Sequence, residues 1–174
     1  GATFCRIIKG FGCKIIAFDV YQSEALQAIG VEYHSLEEVF KQADILSLHC
    51  PLLPDTKHIV NASSIDLMKK GVMIINTSRG ALINTADVIK GLSNRKIGYL
   101  GIDVYEQEEN LFFKDLSESI IQDDYILRLN SFPNVLITSH QAYFTKEAMN
   151  EITTTTLENI QAFEKGMDLK NEVK

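Results

Sequence analysis

Short apolar runs of strand length alternate along the chain with stretches in which apolar residues recur at helical spacing. Strands buried on both faces read as nearly continuous apolar runs, so this alternation predicts a parallel sheet with helices on both sides. The fold class expected is therefore α/β, with a doubly wound parallel sheet. Five strands are predicted, over Lys14–Asp19, Ala43–His49, Val72–Asn76, Tyr99–Val104 and Asn134–Thr138.

Polar residues that favour helix N-termini stand between the predicted strands. Their side-chain oxygens can accept hydrogen bonds from the free N–H groups of a first helical turn. Ser35 also has Glu38 three positions later, which is the pattern of a capping box. The N-caps predicted in this way are Ser35, Ser63 or Ser64 for a helix closed by Gly71, and Asn84 for a helix over Thr85–Leu92.

The two ends of the chain predict further helices. The stretch from Thr145 to Lys165 reads as one long amphipathic helix that Gly166 ends. A helix over Ala2–Phe11 is predicted to turn an apolar face inward, formed by Phe4, Ile7, Ile8 and Phe11.

Gly1 stands before the first helix with no strand upstream, whereas a doubly wound sheet begins with a strand that feeds a glycine turn. We therefore expect a Rossmann-type sheet that lacks its first strand. The domains predicted are an incomplete dinucleotide-binding domain over residues 1–141 and a C-terminal helical return to a substrate domain over residues 142–174.

Composition narrows the class of protein. The 174 residues are 45% apolar and 23% charged, which is typical of a soluble globular domain. A net charge of -6 without a basic run argues against nucleic acid as a partner, and no apolar stretch is long enough to span a membrane. Three scattered cysteines without a CxxC pair predict neither disulfides nor a metal site. We expect a cytoplasmic protein.

Every predicted strand ends in polar residues, and in open parallel sheets ligands bind beyond these carboxyl ends. Together the strand ends would line one crevice. The residues concerned are Asp19; His49, Cys50 and Pro51; Asn76, Thr77, Ser78 and Arg79; Asp103, Glu106 and Glu108; and Ser139 and His140.

Asp19 lies 18 residues after Gly1. In dinucleotide-binding folds a carboxylate about 20 residues beyond the glycine turn accepts hydrogen bonds from the adenosine ribose. If Gly1 is the last glycine of that turn, the spacing fits and the charge would repel the extra phosphate of NADP. Taken alone, Asp19 is more simply interpreted as a polar residue that ends a strand.

Three further residues could carry chemistry. Arg79 can place its planar guanidinium in the crevice to bind a carboxylate, or form a structural ion pair. His140 could be an acid or base near neutral pH, with Glu108 beside it, or a structural histidine next to a solvated glutamate. His34, His49 and His58 have no partner that the sequence identifies and are left as structural.

Three strings stand in order at characteristic spacing: INTSRG over 75–80, GIDVYEQE over 101–108 and TSHQAYFT over 138–145. They resemble the D-isomer-specific 2-hydroxyacid dehydrogenases. HCPLLPDT over 49–56 resembles the loop that passes the nicotinamide in that family. The string LFFKDLSESIIQDD over 111–124, together with the residues from 128 onward, narrows the resemblance to the fermentative D-lactate dehydrogenases.

The resemblance implies specific roles. Arg79 would hold the substrate carboxylate, His140 would protonate the carbonyl oxygen, and Glu108 would pair with His140 and keep it protonated. Asp103 would lie near the nicotinamide carboxamide and Asp19 at the adenosine ribose. The resemblance also implies that NAD is bound by Gly1, Cys50, Pro51, Thr56, Thr77, Ser78, Arg79 and His140, and that Tyr143 joins Arg79 and His140 at the substrate.

The function implied is an NAD-dependent D-2-hydroxyacid dehydrogenase, most simply one that reduces pyruvate to D-lactate with NADH. Transcriptional corepressors that sense NAD(H) share this fold and are the alternative. The family also implies a homodimer or homotetramer. Members carry an N-terminal region that this chain lacks, so we expect the 174 residues alone to be inactive and to bind the cofactor weakly.

Overall fold

The structure is a computed structural model that describes residues 1–112, 115 and 121–173, with only the backbone described at Asn110. Six strands and seven α-helices are assigned within these residues. The strands are β1 Ile15–Ala17, β2 Val31–Tyr33, β3 Ile45–Leu48, β4 Val72–Asn76, β5 Ile97–Ile102 and β6 Val135–Ile137. The helices are α1 Ala2–Lys9, α2 Glu24–Gln27, α3 Leu36–Gln42, α4 Ala62–Leu67, α5 Thr85–Ser93, α6 Asp124–Asn130 and α7 Lys146–Glu164.

The strands form two parallel sheets. β1 pairs with β2, and the larger sheet has the order β3-β4-β5-β6. One row of paired residues crosses the larger sheet from Leu48 through Asn76 and Ile102 to Ile137. Because every pair in that row is parallel, the strands end at nearly the same level. The residues that follow them are therefore brought to one edge.

All five predicted strands are present, and β4 has the bounds that were predicted. The sequence pattern missed β2, which is only three residues long and directly follows Gly30 at φ 90°. An α/β fold with parallel sheets is confirmed. Within the described residues, β1 and β3 each have one edge without a paired strand.

Within this chain, helices α3 to α6 pack on one face of the sheet formed by β3 to β6. Residues alternate along these strands between buried and more exposed positions. Leu46, Ile74 and Leu100 are buried in one core with residues of α3, α4, α5 and α6. On the opposite face Ile45 and Tyr99 are more than half exposed. Burial alternates because these four helices pack on one side of the sheet.

The helix caps follow the sequence pattern with one correction. Ser35 and Glu38 form the predicted capping box, and Asn84 caps α5 by accepting a hydrogen bond from the N–H of Asp87. Neither Ser63 nor Ser64 is the N-cap of α4. Asn61 takes that place, because its Oδ1 accepts hydrogen bonds from the N–H groups of both serines.

The predicted terminal helices form, but the apolar face of α1 is not buried. Phe4, Ile7 and Phe11 are exposed, with Ile7 at 58% and Phe11 at 77%. The His49 ring lies against Phe4, but the described residues leave the side chains of Ile7 and Phe11 uncovered. α7 is capped by Thr145 and followed by a turn at Gly166.

The chain divides into two compact units, Gly1–His140 and Gln141–Lys174. The first contains both sheets, and the second contains α7. None of the described helices is long and apolar enough to cross a membrane. Across the described residues there is no group of three or more His, Cys, Asp or Glu side chains that could hold a metal ion.

Candidate active site

Hydrogen bonds join the segments that follow β3, β4, β5 and β6. The Ser78 hydroxyl donates to the Cys50 carbonyl oxygen at 2.7 Å. The N–H of Asp103 donates to the carbonyl oxygen of Asn76 at 3.0 Å, and the Thr138 hydroxyl donates to Asp103 Oδ1 at 2.6 Å. The predicted crevice residues after these four strands therefore belong to one connected edge of the sheet.

The turn that carries Arg79 is held in place by hydrogen bonds with the side chain of Asn76, which is fully buried. Asn76 Nδ2 donates to the Arg79 carbonyl oxygen at 2.9 Å, and Asn76 Oδ1 accepts from the N–H of Ser78 at 3.1 Å. The Arg79 side chain itself is exposed, and its Nη1 donates to the Ser78 carbonyl oxygen at 2.7 Å. This turn thus exposes the Arg79 guanidinium to solvent. Arg79 lines an open groove together with His49, Pro51, Leu52 and Ser78.

Gly80 brings this turn against the segment that follows β5. A Cβ placed on Gly80 would lie 2.1 Å from both the carbonyl carbon and the carbonyl oxygen of Tyr105, and 2.5 Å from the N of Glu106. No other residue type fits at this distance, since side chains do not tolerate contact with rigid backbone below about 3 Å. The backbone next to Arg79 therefore lies directly on residues 105–106.

His140 and Glu108 form the predicted pair. Glu108 Oε1 accepts from His140 Nδ1 at 3.0 Å, and the other carboxylate oxygen accepts from the N–H of Tyr105 at 2.8 Å. His140 has a positive φ of 52°, and its N–H donates to the Asp103 carbonyl oxygen at 2.5 Å. Nδ1 is thus directed at the carboxylate, and Nε2 is on the side of the ring away from it.

The residues of the predicted cofactor site lie on neighbouring loops. Asp19 is exposed after β1, and its Oδ1 accepts from the N–H of Tyr21 at 3.0 Å. Burial raises the pKa of the Cys50 thiol, and the negative charge of Asp19 raises it further. The raised pKa keeps the thiol protonated at neutral pH, so Cys50 can contribute packing and its carbonyl group but not a nucleophile.

Other predicted ligands have structural roles that shape the loops. The Thr56 hydroxyl donates to the Pro51 carbonyl oxygen at 2.6 Å and accepts from the N–H of Leu53 at 2.8 Å, which folds the loop after β3 on itself. Thr77 is exposed beside Ser78. Asp103 is buried, with 5% of its surface exposed, and it joins the segments after β5 and β6 through its bond from Thr138.

Gly1 and Tyr143 are the remaining predicted ligands, and they belong to different units of the chain. Gly1 is the N-cap of α1, and a Cβ there would lie 3.4 Å from the Cβ of His49, which places the helix start beside the end of β3. Tyr143 is about half exposed and belongs to the second unit. Its predicted place at the substrate stays a prediction.

Sequence reasoning missed a second histidine–carboxylate pair. Glu106 Oε1 accepts from His58 Nε2 at 2.6 Å, and Glu106 Oε2 accepts from the N–H and the hydroxyl of Thr85 at 3.1 Å and 2.9 Å. Burial raises the pKa of Glu106, but the hydrogen bonds from Thr85 and His58 outweigh it and hold that pKa below the usual range. No local sequence pattern indicates this pair, because 48 residues separate its members.

The other two histidines left as structural also have partners. His34 contacts Glu32 at 3.4 Å and Glu38 at 3.7 Å. His49 Nε2 lies 2.9 Å from the Ser47 hydroxyl, and its ring contacts that of Phe4 in a tilted arrangement, with 4.9 Å between centroids and 39° between planes.

Residues 1–142 match the family model described as D-isomer specific 2-hydroxyacid dehydrogenase, NAD binding domain. The chain belongs to this family. The resemblance that the three strings indicated is therefore confirmed, as are the Rossmann-like fold and NAD as the cofactor of the domain.

Curated and solved relatives agree with this assignment. The D-lactate dehydrogenase of Escherichia coli strain K12 is 50% identical over 173 residues, which are 99% of this chain and 53% of that protein. A structure of the pyruvate reductase of Chlamydomonas reinhardtii gives a TM-score of 0.88 at 45% identity, over 96% of this chain and 51% of that one. The Aquifex aeolicus D-lactate dehydrogenase complexed with NAD and lactic acid gives 0.85 at 36% identity, over 95% and 50%. The chain spans about half the length of the relatives it matches.

Proposed function

We propose that the protein to which this chain belongs is an NAD-dependent D-2-hydroxyacid dehydrogenase that reduces pyruvate to D-lactate. The observation that carries the proposal is the Glu108–His140 pair at 3.0 Å, formed at the same sheet edge as the exposed guanidinium of Arg79. An acid held by a carboxylate, next to a binding group for a carboxylate, suits the reduction of a 2-keto acid.

The donors and acceptors at this edge fit a dinucleotide. Asp19 presents a carboxylate that can accept hydrogen bonds from a ribose, and a negative charge there disfavours a 2′-phosphate. We propose that Gly1, Cys50, Pro51, Thr56, Thr77 and Ser78 line the path of the cofactor, and that Asp103 lies at the carboxamide end. When bound, the reduced nicotinamide supplies the hydride.

In this mechanism Arg79 forms two parallel hydrogen bonds with the carboxylate of pyruvate and fixes the face of the ketone that is presented. His140 would donate its Nε2 proton to the substrate carbonyl oxygen, which becomes the hydroxyl oxygen of the product. Glu108 accepts from Nδ1 and fixes the orientation of the ring, so that Nε2 is the atom left for the substrate. In the reverse direction neutral His140 takes the hydroxyl proton.

The test is NADH oxidation by the full-length protein with a panel of 2-keto acids: pyruvate, 2-oxobutyrate and phenylpyruvate. Pyruvate is expected to be the best substrate. Binding of NADH without turnover of any of the three would contradict the proposal and favour a sensor that uses the same fold.

His140→Gln is expected to lower kcat for pyruvate by about a hundredfold or more, because a general acid typically contributes that much. NADH affinity is expected to change little. His34→Gln is the matched control, since it also removes a histidine that contacts a glutamate. A His140→Gln variant that keeps the activity of the His34→Gln control would remove His140 from the mechanism.

A further inference from the structure

The two glutamates of the DVYEQE string contact different histidines. Glu108 binds His140 at the end of β6, whereas Glu106 binds His58 in the segment between β3 and α4. Both histidines have the same positive φ of 52°. A non-glycine residue in this region of backbone space is held there by its surroundings, and such residues concentrate at functional sites. The segment over residues 105–108 is therefore anchored from two sides.

Both oxygens of the Glu106 carboxylate accept hydrogen bonds. Its Oε1 accepts from His58 at 2.6 Å, and its Oε2 accepts twice from Thr85, which is 5% exposed at the first position of α5. A helix N-terminus favours a negative charge, so α5 adds to the attraction. Glu106 thus ties the segment after β5 to a helix and to the segment after β3 at once.

The position of His58 is fixed as well. Its N–H donates to the Ala81 carbonyl oxygen at 2.8 Å, and its own carbonyl oxygen accepts from Nδ2 of Asn61, the cap of α4. Ala81 lies two residues after Arg79. The backbone of His58 therefore fixes the turn that carries Arg79, while its ring holds Glu106.

Arg79 and Glu108 are connected through this same set of contacts. The Gly80 backbone rests on Tyr105 and Glu106, and Glu108 closes a tight turn with Tyr105 through the bond of its carboxylate to the Tyr105 N–H. A shift of residues 105–106 would move Glu108, and with it His140, relative to the guanidinium.

We propose that His58, Glu106 and Thr85 form a positioning network that sets the separation between Arg79 and the Glu108–His140 pair. The network acts on Arg79 and on the Glu108–His140 pair through the peptide groups at 80 and 105–106. This inference rests on the proposed function, because it assigns the network to the reduction carried out by that pair.

The first test compares His58→Ala with His58→Gln in the full-length protein, with pyruvate and NADH at 25 °C. His58→Ala removes the bond to Glu106, and we expect kcat/KM for pyruvate to fall by about tenfold to a hundredfold, as small misplacements of reacting groups do. Both kcat and KM should contribute, since Glu108 and Arg79 are displaced together. The Kd for NADH should stay within about twofold.

His58→Gln separates positioning from folding. Its amide can donate to Glu106 as the imidazole does, so it should recover most of the loss. His34→Gln controls for removal of a histidine that contacts a glutamate elsewhere in the chain. A merely structural role would lower the melting temperature of His58→Ala without a change in kcat/KM at 25 °C, and that outcome overturns the proposal.

A double-mutant cycle gives an independent readout. If His58 and Glu106 act as one unit, His58→Ala combined with Glu106→Ala should lower kcat/KM little more than either change alone. Additive losses would show that the two residues do not work together. If the unaltered protein does not reduce pyruvate, the proposed function is wrong. If it reduces pyruvate and the His58 and Glu106 variants have the same kcat/KM, only the proposed network is wrong.

Discussion

The backbone of Arg79 is held by hydrogen bonds while its side chain is exposed to solvent, which suits a residue that binds a ligand. Arg79→Lys keeps the charge but loses the planar pair of donors. We expect kcat/KM for pyruvate to fall by an amount on the order of 2 to 3 kcal/mol in transition-state stabilisation, while NADH affinity hardly changes. Steady-state kinetics with pyruvate and a titration with NADH measure the two effects. Loss of NADH binding with an intact pyruvate step would assign Arg79 to the cofactor instead.

We expect Asp19 to determine the preference for NADH over NADPH. Asp19→Ala removes both the acceptor for the ribose hydroxyls and the charge that repels a 2′-phosphate. We expect weaker use of NADH and a smaller advantage of NADH over NADPH. The measurement is kcat/KM for each cofactor at saturating pyruvate. Equal efficiency with NADH and NADPH in the unaltered protein would contradict this role.

Contacts between elements depend on small residues at a few positions, of which Gly80 is the clearest. Gly80→Ala would force a methyl group against the Tyr105 carbonyl at 2.1 Å, so the turn after β4 and the segment after β5 must separate. Overpacking of this kind costs about 1 to 3 kcal/mol. We expect a lower midpoint of urea unfolding for the full-length protein, together with a reduced kcat/KM for pyruvate. A Gly80→Ala variant with the same urea midpoint as the unaltered protein would show that the turn after β4 and the segment after β5 do not lie this close.

The alignment of strand ends is a second property of the elements. Leu48, Asn76 and Ile102 stand in one row, so the residues after them share one edge whatever their separation in the chain. The apolar runs predicted the strands, and the rule for parallel sheets predicted the crevice. The register itself depends on which residues pair, and sequence pattern does not specify this.

The stability of the whole molecule should depend on pH through Glu106. Its pKa is lowered in the folded state, so its contribution is present above the ordinary range of a glutamate and is lost as pH falls through the lowered value. We expect Glu106→Gln to reduce the free energy of unfolding by about 1 to 2 kcal/mol at neutral pH. The difference should shrink between about pH 5 and pH 3. Urea unfolding of both proteins across this range measures it.

Glu38→Gln is not a suitable comparison, since Glu38 is part of a capping box, whereas Glu37→Gln removes an exposed carboxylate that pairs with Lys41 of the same helix. This control should change stability by a few tenths of a kcal/mol at every pH. A Glu106→Gln effect that is equally small, or that does not depend on pH, would show that the bonds to Thr85 and His58 contribute little.

Sequence alone determined the local features of this protein. Apolar runs located five of the six strands, because burial acts on consecutive residues. Asn84 and the Ser35–Glu38 box were identifiable as caps, because their bonds span only three residues. The chemistry-bearing residues could be nominated because polar groups at the ends of buried strands stand out against their apolar neighbours.

Only the tertiary structure decided which of those residues meet. Glu106 and Glu108 look alike in the sequence, yet one faces His58 and the other faces His140, across 48 and 32 residues. The exposure of one face of β3 to β6, and of the apolar face of α1, likewise depends on where the helices pack. Such contacts join distant parts of the chain, so their partners are set by the packing of the whole molecule and leave no local pattern to read.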